Sequence, residues 1–372
     1  MALIAIGSGI LLAGWVLYPL VMYAVALLRP REECPAIIEG RAATLIIATR
    51  DDPATLAVRL DSLERDRHEL ERMEVVVAVD PKGAWDAAQY RQLLQSRAIV
   101  VEGDSPGGKA ATLNAAVRRA SEEILIFTDS AQHFLSGTLA SLVQSLRRSS
   151  IGAATGQFKA ASNRSSLLLC VFWVYETWLR RTEATVDSIV GVTGAVYSMR
   201  RDLWRPLPSG LINDDLYVPL SIAAQGYRVV TCEAAIAIDQ RVFTALQEFR
   251  RKVRTLTGIL QLCTLSPWIL NPLRNRLWIQ FFCHKLLRFC TPYWVLLVII
   301  GVVTCLPWKV LVLMLATVSG ASVVASMLPT SSMPCRIARQ TGWMLLILWA
   351  PFVATANALR GEWDVWSTAK SR

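Results

Sequence analysis

The chain has 372 residues, of which 53% are hydrophobic, and a mean hydropathy of +0.38. These values exclude an ordinary soluble protein and leave room for one large catalytic domain with several membrane spans. The net charge of +10 predicts anionic lipid or phosphorylated ligands as partners, and no nucleic acid is expected because no recognition motif accompanies the charge.

The first predicted element is a transmembrane helix at residues 1–28. Ala2 to Leu28 carries no charge, and it exceeds the roughly 20 residues that a helix needs to cross the hydrocarbon core. No basic leading region precedes it and no small-residue cleavage site follows, which disfavours a cleaved signal peptide. Arg29 and Arg31 follow the span, so the positive-inside rule places the next part of the chain in the cytoplasm.

Residues 41–262 are predicted to form a cytoplasmic α/β catalytic domain. Four apolar, β-branched runs are typical of buried strands: Thr44 to Thr49, Glu74 to Asp80, Ala98 to Gly103 and Glu123 to Asp129. Segments with helical spacing separate them, and this alternation predicts a mainly parallel sheet with helices on both faces. The ligand of such a sheet lies beyond the carboxyl ends of its strands.

Acidic residues follow the predicted strands, where that ligand is expected. They are Asp51, Asp52, Asp80, Asp104 and Asp129. Carboxylates there suit a sugar nucleotide, because they can hydrogen-bond uracil and ribose and hold a divalent cation against the diphosphate. Asp52, which precedes Pro53, could instead cap the next helix.

The segment from Gly103 to Ala110 is similar to a phosphate-binding loop. It follows a strand, precedes a helix and contains a spaced Gly-Lys pair. Ala110, however, stands where a Ser or Thr hydroxyl would hold Mg²⁺. A membrane-bound nucleotide hydrolase is therefore only a minor alternative.

Two segments combine aromatic residues with arginines, which is typical of helices that lie in the membrane interface. They are Ser165 to Arg181 and Leu265 to Phe282. A buried core helix is an equally good interpretation of the first. Pro267 and Pro272 favour the interface for the second, and residues 263–285 are assigned to an interfacial helix.

Residues 286–359 are predicted to contain about three transmembrane helices. The apolar stretches run from about Leu286 to Leu306, Val310 to Leu328 and Gly342 to Leu359. Arg336 and Arg339 place the second connecting loop in the cytoplasm. The tail, residues 360–372, would then lie outside, unless one of the three stretches is re-entrant.

Several motifs occur in a family-specific order: "GGKAATLNAAV", "FTDS", "TGAVYSMRR", "NDDLYVPLSIAAQGYRVV", "EFRRKVRTLTG" and "HKLLRFCTPY". In these motifs the chain resembles the membrane-bound family 2 glycosyltransferases, which include synthases of cellulose, hyaluronan and poly-N-acetylglucosamine. The resemblance implies a GT-A (nucleotide-diphospho-sugar transferase) fold. It also implies an inverting transfer from a nucleotide-sugar donor, expected to be a UDP-sugar.

The resemblance also implies a donor site. Asp51 and Asp80 would bind the uridine, and Lys109 would support the base or the diphosphate. Asp129 aligns with the first carboxylate of a DxD-type motif and would coordinate Mg²⁺ or Mn²⁺ at the donor phosphates. Ala131 stands where a second carboxylate or amide is expected, which leaves the cation requirement open.

Asp214 and Asp215 match the acidic pair of the family, with Asp215 at the position of the general base. A base is needed because a sugar hydroxyl is a poor nucleophile until a carboxylate accepts its proton. Alternatively, the pair could only cap the following helix. Thr193, Gly194 and Tyr197 would border the acceptor.

The run "RRKVRTLTG" aligns with the QxxRW element of the family, with Arg251 at the Gln, Arg254 at the Arg and Thr255 at the Trp. Arg254 can neutralise diphosphate oxygens through paired hydrogen bonds. The changed Gln and Trp positions favour single additions to a lipid-linked sugar over extension of a polysaccharide. The expected location is a bacterial inner (plasma) membrane, in contact with its lipids. A non-catalytic membrane subunit descended from a transferase is the alternative.

Overall fold

The structure is a computed structural model of the chain. The residues that it describes are 1–29, 42–160, 167–239, 241, 244–307, 309–310 and 333–364. The chain divides into two compact units. The smaller unit comprises Met1–Val21, Phe243–Leu260 and Phe282–Arg372, and the larger comprises Met22–Val242 and Gln261–Phe281.

The larger unit is built on one sheet. Its strands are β1 (Ala42–Thr49), β2 (Arg72–Val79), β3 (Ile99–Glu102), β4 (Ile124–Thr128), β5 (Gln132–Phe134), β6 (Ile151–Ala160), β7 (Val196–Arg200) and β8 (Arg228–Asp239). Within the described residues they pair in the order β3-β2-β1-β4-β7-β6-β8-β5. These strands therefore form a single continuous sheet.

The first half of the sheet is parallel, as predicted. β3, β2, β1 and β4 pair side by side in one direction. The helices between them are α3 (Pro53–Asp66), α4 (Ala87–Leu94) and α5 (Lys109–Arg119). Leu45, Ile46 and Ile47 of β1 are fully buried, because helices cover both faces of a parallel sheet and successive side chains face opposite sides. This confirms the α/β organisation of the first half.

The second half is mixed, so the prediction of a mainly parallel sheet does not hold for this region. β7 pairs antiparallel with both β4 and β6, and β5 pairs antiparallel with β8, whereas β6 and β8 are parallel. Its helices are α6 (Thr138–Ser145), α7 (Leu167–Val186) and α8 (Asp214–Ala224). Alternation of strands and helices holds only as far as β4, and of the later strands β5 and β7 run opposite to β4 whereas β6 and β8 run in its direction.

The start of α3 decides between the two interpretations of Asp52. Its side chain accepts a hydrogen bond from the backbone N of Ala54 at 3.2 Å, and Pro53 begins the helix. This is the geometry of an N-cap, in which a carboxylate satisfies an amide that has no partner within the helix. Asp52 therefore caps α3.

The smaller unit is built of helices. It contains α1 (Ala2–Leu12), the first four residues of α2 (Tyr18–Leu27), most of α9 (Ala245–Leu265), α11 (Thr291–Cys305) and α12 (Met333–Arg360); the rest of α2 and the short α10 (Trp278–Gln280) belong to the larger unit. A Cβ on Gly7 would lie 2.6 Å from Val298 Cγ2, and one on Gly301 would lie 2.8 Å from Ile4 Cγ1. Glycine at both positions therefore allows α1 and α11 to pack closely.

One continuous helix among the described residues is long and apolar enough to cross a membrane. It runs over Ala2–Leu27, with a mean hydropathy of 2.1. Trp278–Phe289 and Thr291–Cys305 meet the same criteria only together and are bent by 53°. After its first residue, the predicted span from about Val310 to Leu328 lies outside the described residues. The number of C-terminal spans therefore stays a prediction.

Candidate active site

Lys109 lies between two carboxylates at the carboxyl end of the parallel half. Its Nζ atom is 3.2 Å from Asp214 Oδ2 and 3.6 Å from Asp129 Oδ1. Lys109 begins α5, Asp129 directly follows β4 and Asp214 begins α8. A small pocket between them is also lined by Gly194 and Tyr197. The structure thus brings together predicted donor, metal, catalytic and acceptor residues from distant parts of the sequence.

The charge of Lys109 is maintained by its neighbours. Burial would lower the pKa of its ammonium group, but the charges of Asp214, Asp129 and Asp215 outweigh that effect and raise the pKa above its usual value. Lys109 is therefore a permanent cation that joins the position expected for the metal ligand to the acidic pair.

The acidic pair divides into an engaged and a more accessible carboxylate. Asp214 is only 5% exposed and pairs with Lys109, whereas Asp215 is half-buried. The residue that caps α8 is Asn213, so neither aspartate occupies the N-cap position. Both still lie in the first turn of the helix, where its dipole favours negative charge. Asp215 is thus the less buried of the two, and its role as the general base stays a prediction.

Tyr197 has a buried hydroxyl and is one of the residues that line the same pocket. Its ring stacks on Phe127 with the centroids 4.7 Å apart, and its hydroxyl has no hydrogen-bond partner among the described residues. Burial, together with the charges of Asp214, Asp215 and Asp129, raises the pKa of Tyr197 well above its usual value. The hydroxyl therefore stays protonated and can donate a hydrogen bond to a ligand.

The loop before β7 is fixed by two neighbouring elements. The backbone N of Thr193 donates to Thr155 Oγ1 at 2.8 Å, and Arg180 Nη2 donates to the carbonyl of Gly191 at 2.8 Å. Gly194 follows, and a Cβ there would lie 3.8 Å from Lys109 Nζ. Gly194 thus lines the Lys109 pocket, and Thr193, the other predicted acceptor residue of this loop, directly precedes it.

Asp80 is engaged in internal contacts. One oxygen accepts from Arg50 Nε and Nη2, each at 2.6 Å, and the other accepts from the backbone N atoms of Lys82 at 3.0 Å and Gly108 at 2.9 Å. Burial would raise the pKa of Asp80, but the hydrogen bonds from Gly108, Lys82 and Arg50 keep it below the usual value. Asp80 thus connects the ends of β1 and β2 to the glycine-rich loop, and its predicted contact with uridine stays a prediction.

The same contacts explain the loop that is similar to a phosphate-binding loop. Gly107 has a φ of +83°, and a Cβ there would lie 2.9 Å from Asp80 Oδ1. The backbone N of Gly108 points at the Asp80 carboxylate, whereas a phosphate-binding loop directs its amides at an anionic ligand. The geometry therefore argues against the nucleotide-hydrolase alternative.

Asp51 lies beside the segment that carries Asp129. Ser130 donates a side-chain hydrogen bond to Asp51 Oδ2, and the Tyr90 hydroxyl donates to the Asp51 carbonyl. Asp51 itself is exposed. The carboxyl ends of β1 and β4 are thereby joined, and an exposed carboxylate faces the solvent at the expected donor side.

The model of the family described as Glycosyl transferase family 2 matches residues 44–236. The chain belongs to this family. The predicted family and its GT-A-like α/β fold are confirmed, and the protein is a glycosyltransferase that uses nucleotide-sugar donors. The match ends before α9, so it does not test membrane attachment.

A solved structure of another glycosyltransferase has a similar fold. The mannosyltransferase PcManGT from Pyrobaculum calidifontis, in complex with GDP-Man and Mn²⁺, shares 18% identity over 97% of this chain and 99% of that one, with a TM-score of 0.66. Glucosyl-3-phosphoglycerate synthase from Mycobacterium tuberculosis shares 14% identity over 65% of this chain and 82% of that one, with a TM-score of 0.41. No curated protein matches the transferase by sequence.

Asp129 and its surroundings fit a metal ion that is bound partly by the protein and partly by the donor phosphates. Within the described residues, no group of three or more His, Cys, Asp or Glu side chains is arranged to hold a metal ion. Asp129 is 44% exposed at the pocket, and Ala131 offers no side-chain ligand. Mg²⁺ is commonly bound through one or two carboxylates plus substrate phosphates and water. Asp129 alone suits that arrangement and does not suit a metal site built from protein ligands only.

Arg251 and Arg254, predicted to bind the donor, lie on α9 in the part of the chain that belongs to the smaller unit. Arg251 Nη1 is 3.3 Å from Glu248 Oε1, and the Thr255 hydroxyl donates to the Arg251 carbonyl at 3.0 Å. These are contacts within the helix. A role for either arginine at the donor stays a prediction.

The sequence did not single out Asp239 and Arg241, an ion pair that lies near Asp129. Asp239 ends β8 with only 1% of its surface exposed, and it forms an ion pair with Arg241. The strand-end rule that selects Asp80 and Asp129 also selects Asp239 once β8 is recognised as a strand. No motif in the sequence indicates Arg241.

Proposed function

We propose that the transferase is an inverting, membrane-attached enzyme. It moves a sugar from a nucleoside-diphosphate donor to a hydroxyl of a lipid-linked sugar or a polysaccharide in cell-envelope or exopolysaccharide synthesis. The observation that carries the proposal is the cluster in which Lys109 contacts Asp214 at 3.2 Å and Asp129 at 3.6 Å. Such a cluster can place a base, a cation and a donor-side carboxylate around one reacting carbon.

Asp215 is the proposed general base. It accepts the proton of the acceptor hydroxyl while that oxygen forms a bond to the anomeric carbon and the bond from this carbon to the diphosphate breaks. Asp214 acts through Lys109, whose position it helps to fix. The Tyr197 hydroxyl would donate a hydrogen bond to the acceptor.

Positive charge is needed where the diphosphate leaves. The Lys109 ammonium is one source, since its pKa is raised and it stays protonated. Asp129 would hold Mg²⁺ or Mn²⁺ together with the donor phosphates, and the metal would add charge neutralisation there. Arg254, with Arg251 beside it, would contribute paired hydrogen bonds to the phosphate oxygens.

Membrane attachment has two sources of support. Ala2–Leu27 has the length and composition of a span, and Arg29 after it predicts a cytoplasmic catalytic domain. On α7, Val171, Trp173 and Val174 are 59%, 50% and 71% exposed. An exposed apolar and aromatic face of this kind suits a helix that lies in the membrane interface. We therefore infer that α7 contacts lipid at an inner (plasma) membrane.

The deciding experiment measures release of nucleoside diphosphate by the full-length protein in lipid nanodiscs. The panel contains UDP-, GDP- and dTDP-sugars, each with Mg²⁺, Mn²⁺ or a chelator, and with or without a bacterial lipid extract. GDP-sugars are included because PcManGT was solved with GDP-Man. We expect release that requires one donor and the extract. Silence across the panel from folded protein would favour the non-catalytic subunit.

Asp215→Asn tests the assignment of the base. We expect the transfer rate to fall by about 10²- to 10⁴-fold, the usual contribution of a general base, while donor binding measured by calorimetry is retained. Asp61→Asn is the matched control, because Asp61 is an exposed carboxylate that pairs with Arg97 away from the cluster. Near-normal turnover of Asp215→Asn would refute the proposed role.

A further inference from the structure

A buried carboxylate fixes the direction of a half-exposed guanidinium at the end of β8. Arg241 Nε donates to Asp239 Oδ1 at 2.9 Å, and Arg241 Nη2 donates to Oδ2 at 2.7 Å. The backbone N of Arg241 also donates to Oδ1, at 2.9 Å. The Asp239 side chain is 2% exposed and that of Arg241 is 49% exposed. The pair therefore directs its positive end toward the solvent and its negative end into the protein.

Gln132 connects this guanidinium to the expected donor site. In one orientation of its amide, Nε2 donates to the Asp129 carbonyl and Oε1 accepts from Arg241 Nη2, both at 3.2 Å. The reverse orientation gives a single hydrogen bond to Asp239, at 3.4 Å. The first orientation satisfies more polar atoms and is the one expected. Arg241 is thus one side chain away from the backbone of Asp129.

The electrostatics agree with this position. Hydrogen bonding to Asp239, together with the charges of Asp239, Asp129 and Asp51, raises the pKa of Arg241 above its usual value against the opposing effect of burial. Asp51 and Asp129 belong to the carboxyl ends of β1 and β4, so Arg241 lies within the field of both. A diphosphate placed among these carboxylates requires nearby positive charge.

Arg241 suits that requirement. Asp239 and Gln132 engage Nε and Nη2, so a phosphate oxygen would be contacted through Nη1, and a guanidinium that is already oriented loses little freedom on binding. Ala131 increases the need for a protein cation, because it removes the second carboxylate that would otherwise help to retain a metal.

We propose that Arg241, oriented by Asp239, binds the diphosphate of the donor and makes the site prefer nucleoside diphosphates over monophosphates. The inference rests on the proposed function, which supplies the diphosphate. The competing interpretation is that the ion pair only anchors the chain after β8. That structural role would affect stability and would not alter the preference for the second phosphate.

The test measures binding of UDP, UMP, GDP and GMP to the full-length protein in nanodiscs by calorimetry, with Mn²⁺ present. For Arg241→Gln we expect the Kd of the preferred diphosphate to rise at least about tenfold, as for loss of a hydrogen bond between charged groups. The Kd of the matching monophosphate should change less than about twofold, because its single phosphate is not the group that Arg241 contacts. Arg241→Lys should fall in between, since lysine keeps the charge and loses the paired geometry.

Arg97→Gln is the control, because it removes an arginine that pairs with Asp61 outside this site. It should leave both dissociation constants unchanged. Equal losses for diphosphate and monophosphate in Arg241→Gln, or a lowered Tm with an unchanged ratio of the two, would overturn the inference. Wild-type protein that binds no nucleoside diphosphate would instead overturn the proposed function, and the inference with it.

Discussion

The two halves of the sheet use their polar residues differently. In the parallel half, Asp80 accepts hydrogen bonds from Arg50, Lys82 and Gly108, so both oxygens of its carboxylate are engaged in contacts within the protein. In the mixed half, the Tyr197 hydroxyl is buried without a hydrogen-bond partner among the described residues. The comparison shows that Asp80 of the parallel half serves the fold, whereas Tyr197 of the mixed half keeps a polar group for which the described residues supply no partner.

Lys109→Met should have the largest effect, because Lys109 joins the two halves. We expect the transfer rate to fall about 10²- to 10³-fold, as when one preorganised electrostatic contact to the leaving charge is lost. Removing the partner of Asp214 should also lower the free energy of unfolding by about 1–3 kcal/mol. That is less than for a fully buried pair, because the Lys109 side chain is 26% exposed.

The pH dependence of that stability loss follows from the raised pKa of Lys109. A group whose pKa is raised on folding contributes its full stability below its unfolded pKa, about 10.4 for lysine. The difference between wild type and Lys109→Met should therefore be constant from about pH 7 to 9. Arg97→Gln, which also removes one positive charge, is the control. Normal turnover of Lys109→Met would show that transfer does not depend on the contact of Lys109 with both halves of the sheet.

Asp80→Asn should have the next largest effect, and on stability rather than on chemistry. Replacing a carboxylate that accepts from Arg50 and from backbone amides should lower the free energy of unfolding by about 1.5–3 kcal/mol. The rate of transfer at saturating donor should change little. Asp61→Asn, which removes an exposed ion pair, should cost less than about 1 kcal/mol.

Acid unfolding provides a second readout for Asp80. Because its pKa is lowered in the folded state, its contribution is present above the unfolded pKa, near 3.9, and is lost as the pH falls through the folded value. The stability curves of wild type and Asp80→Asn should thus converge below about pH 4. A large loss of turnover at unchanged stability would contradict the structural role assigned to Asp80.

Tyr197→Phe should have the smallest effect, and in opposite directions on stability and activity. Removing a buried hydroxyl that lacks a partner should leave the free energy of unfolding unchanged or raise it by up to about 1 kcal/mol. The loss of one neutral hydrogen bond to a ligand should slow transfer about 3- to 10-fold. Tyr90→Phe in the parallel half is the matched comparison, because the Tyr90 hydroxyl donates to the Asp51 carbonyl. It should lose stability, and equal behaviour of the two variants would remove the distinction between the halves.

The sequence predicts the parallel half because its signals are local. The runs that form β1 to β4 are continuous and apolar, and the acidic residues stand at their ends. The direction of later strands is not encoded in their periodicity, because it depends on how the connections return. β5 has only three residues, too few for a periodic signal.

The site was predictable only in part, for a similar reason. Motif order identified Asp129, Asp214 and Asp215, which stand near motif centres in the sequence. It did not indicate that Lys109 would contact both Asp129 and Asp214, because that contact depends on three elements meeting in space. Arg241 was missed, since its position depends on its pairing with Asp239 and on no pattern in the chain.

The contact between Gly107 and Asp80 has a consequence for protein engineering. A side chain at position 107 would collide with a carboxylate that Arg50 holds in place. A substitution at any one of these three positions therefore depends on the residues at the other two. A library that varies this loop should randomise residues 50, 80 and 107 jointly, because screening them one at a time would discard combinations that are compatible only with each other.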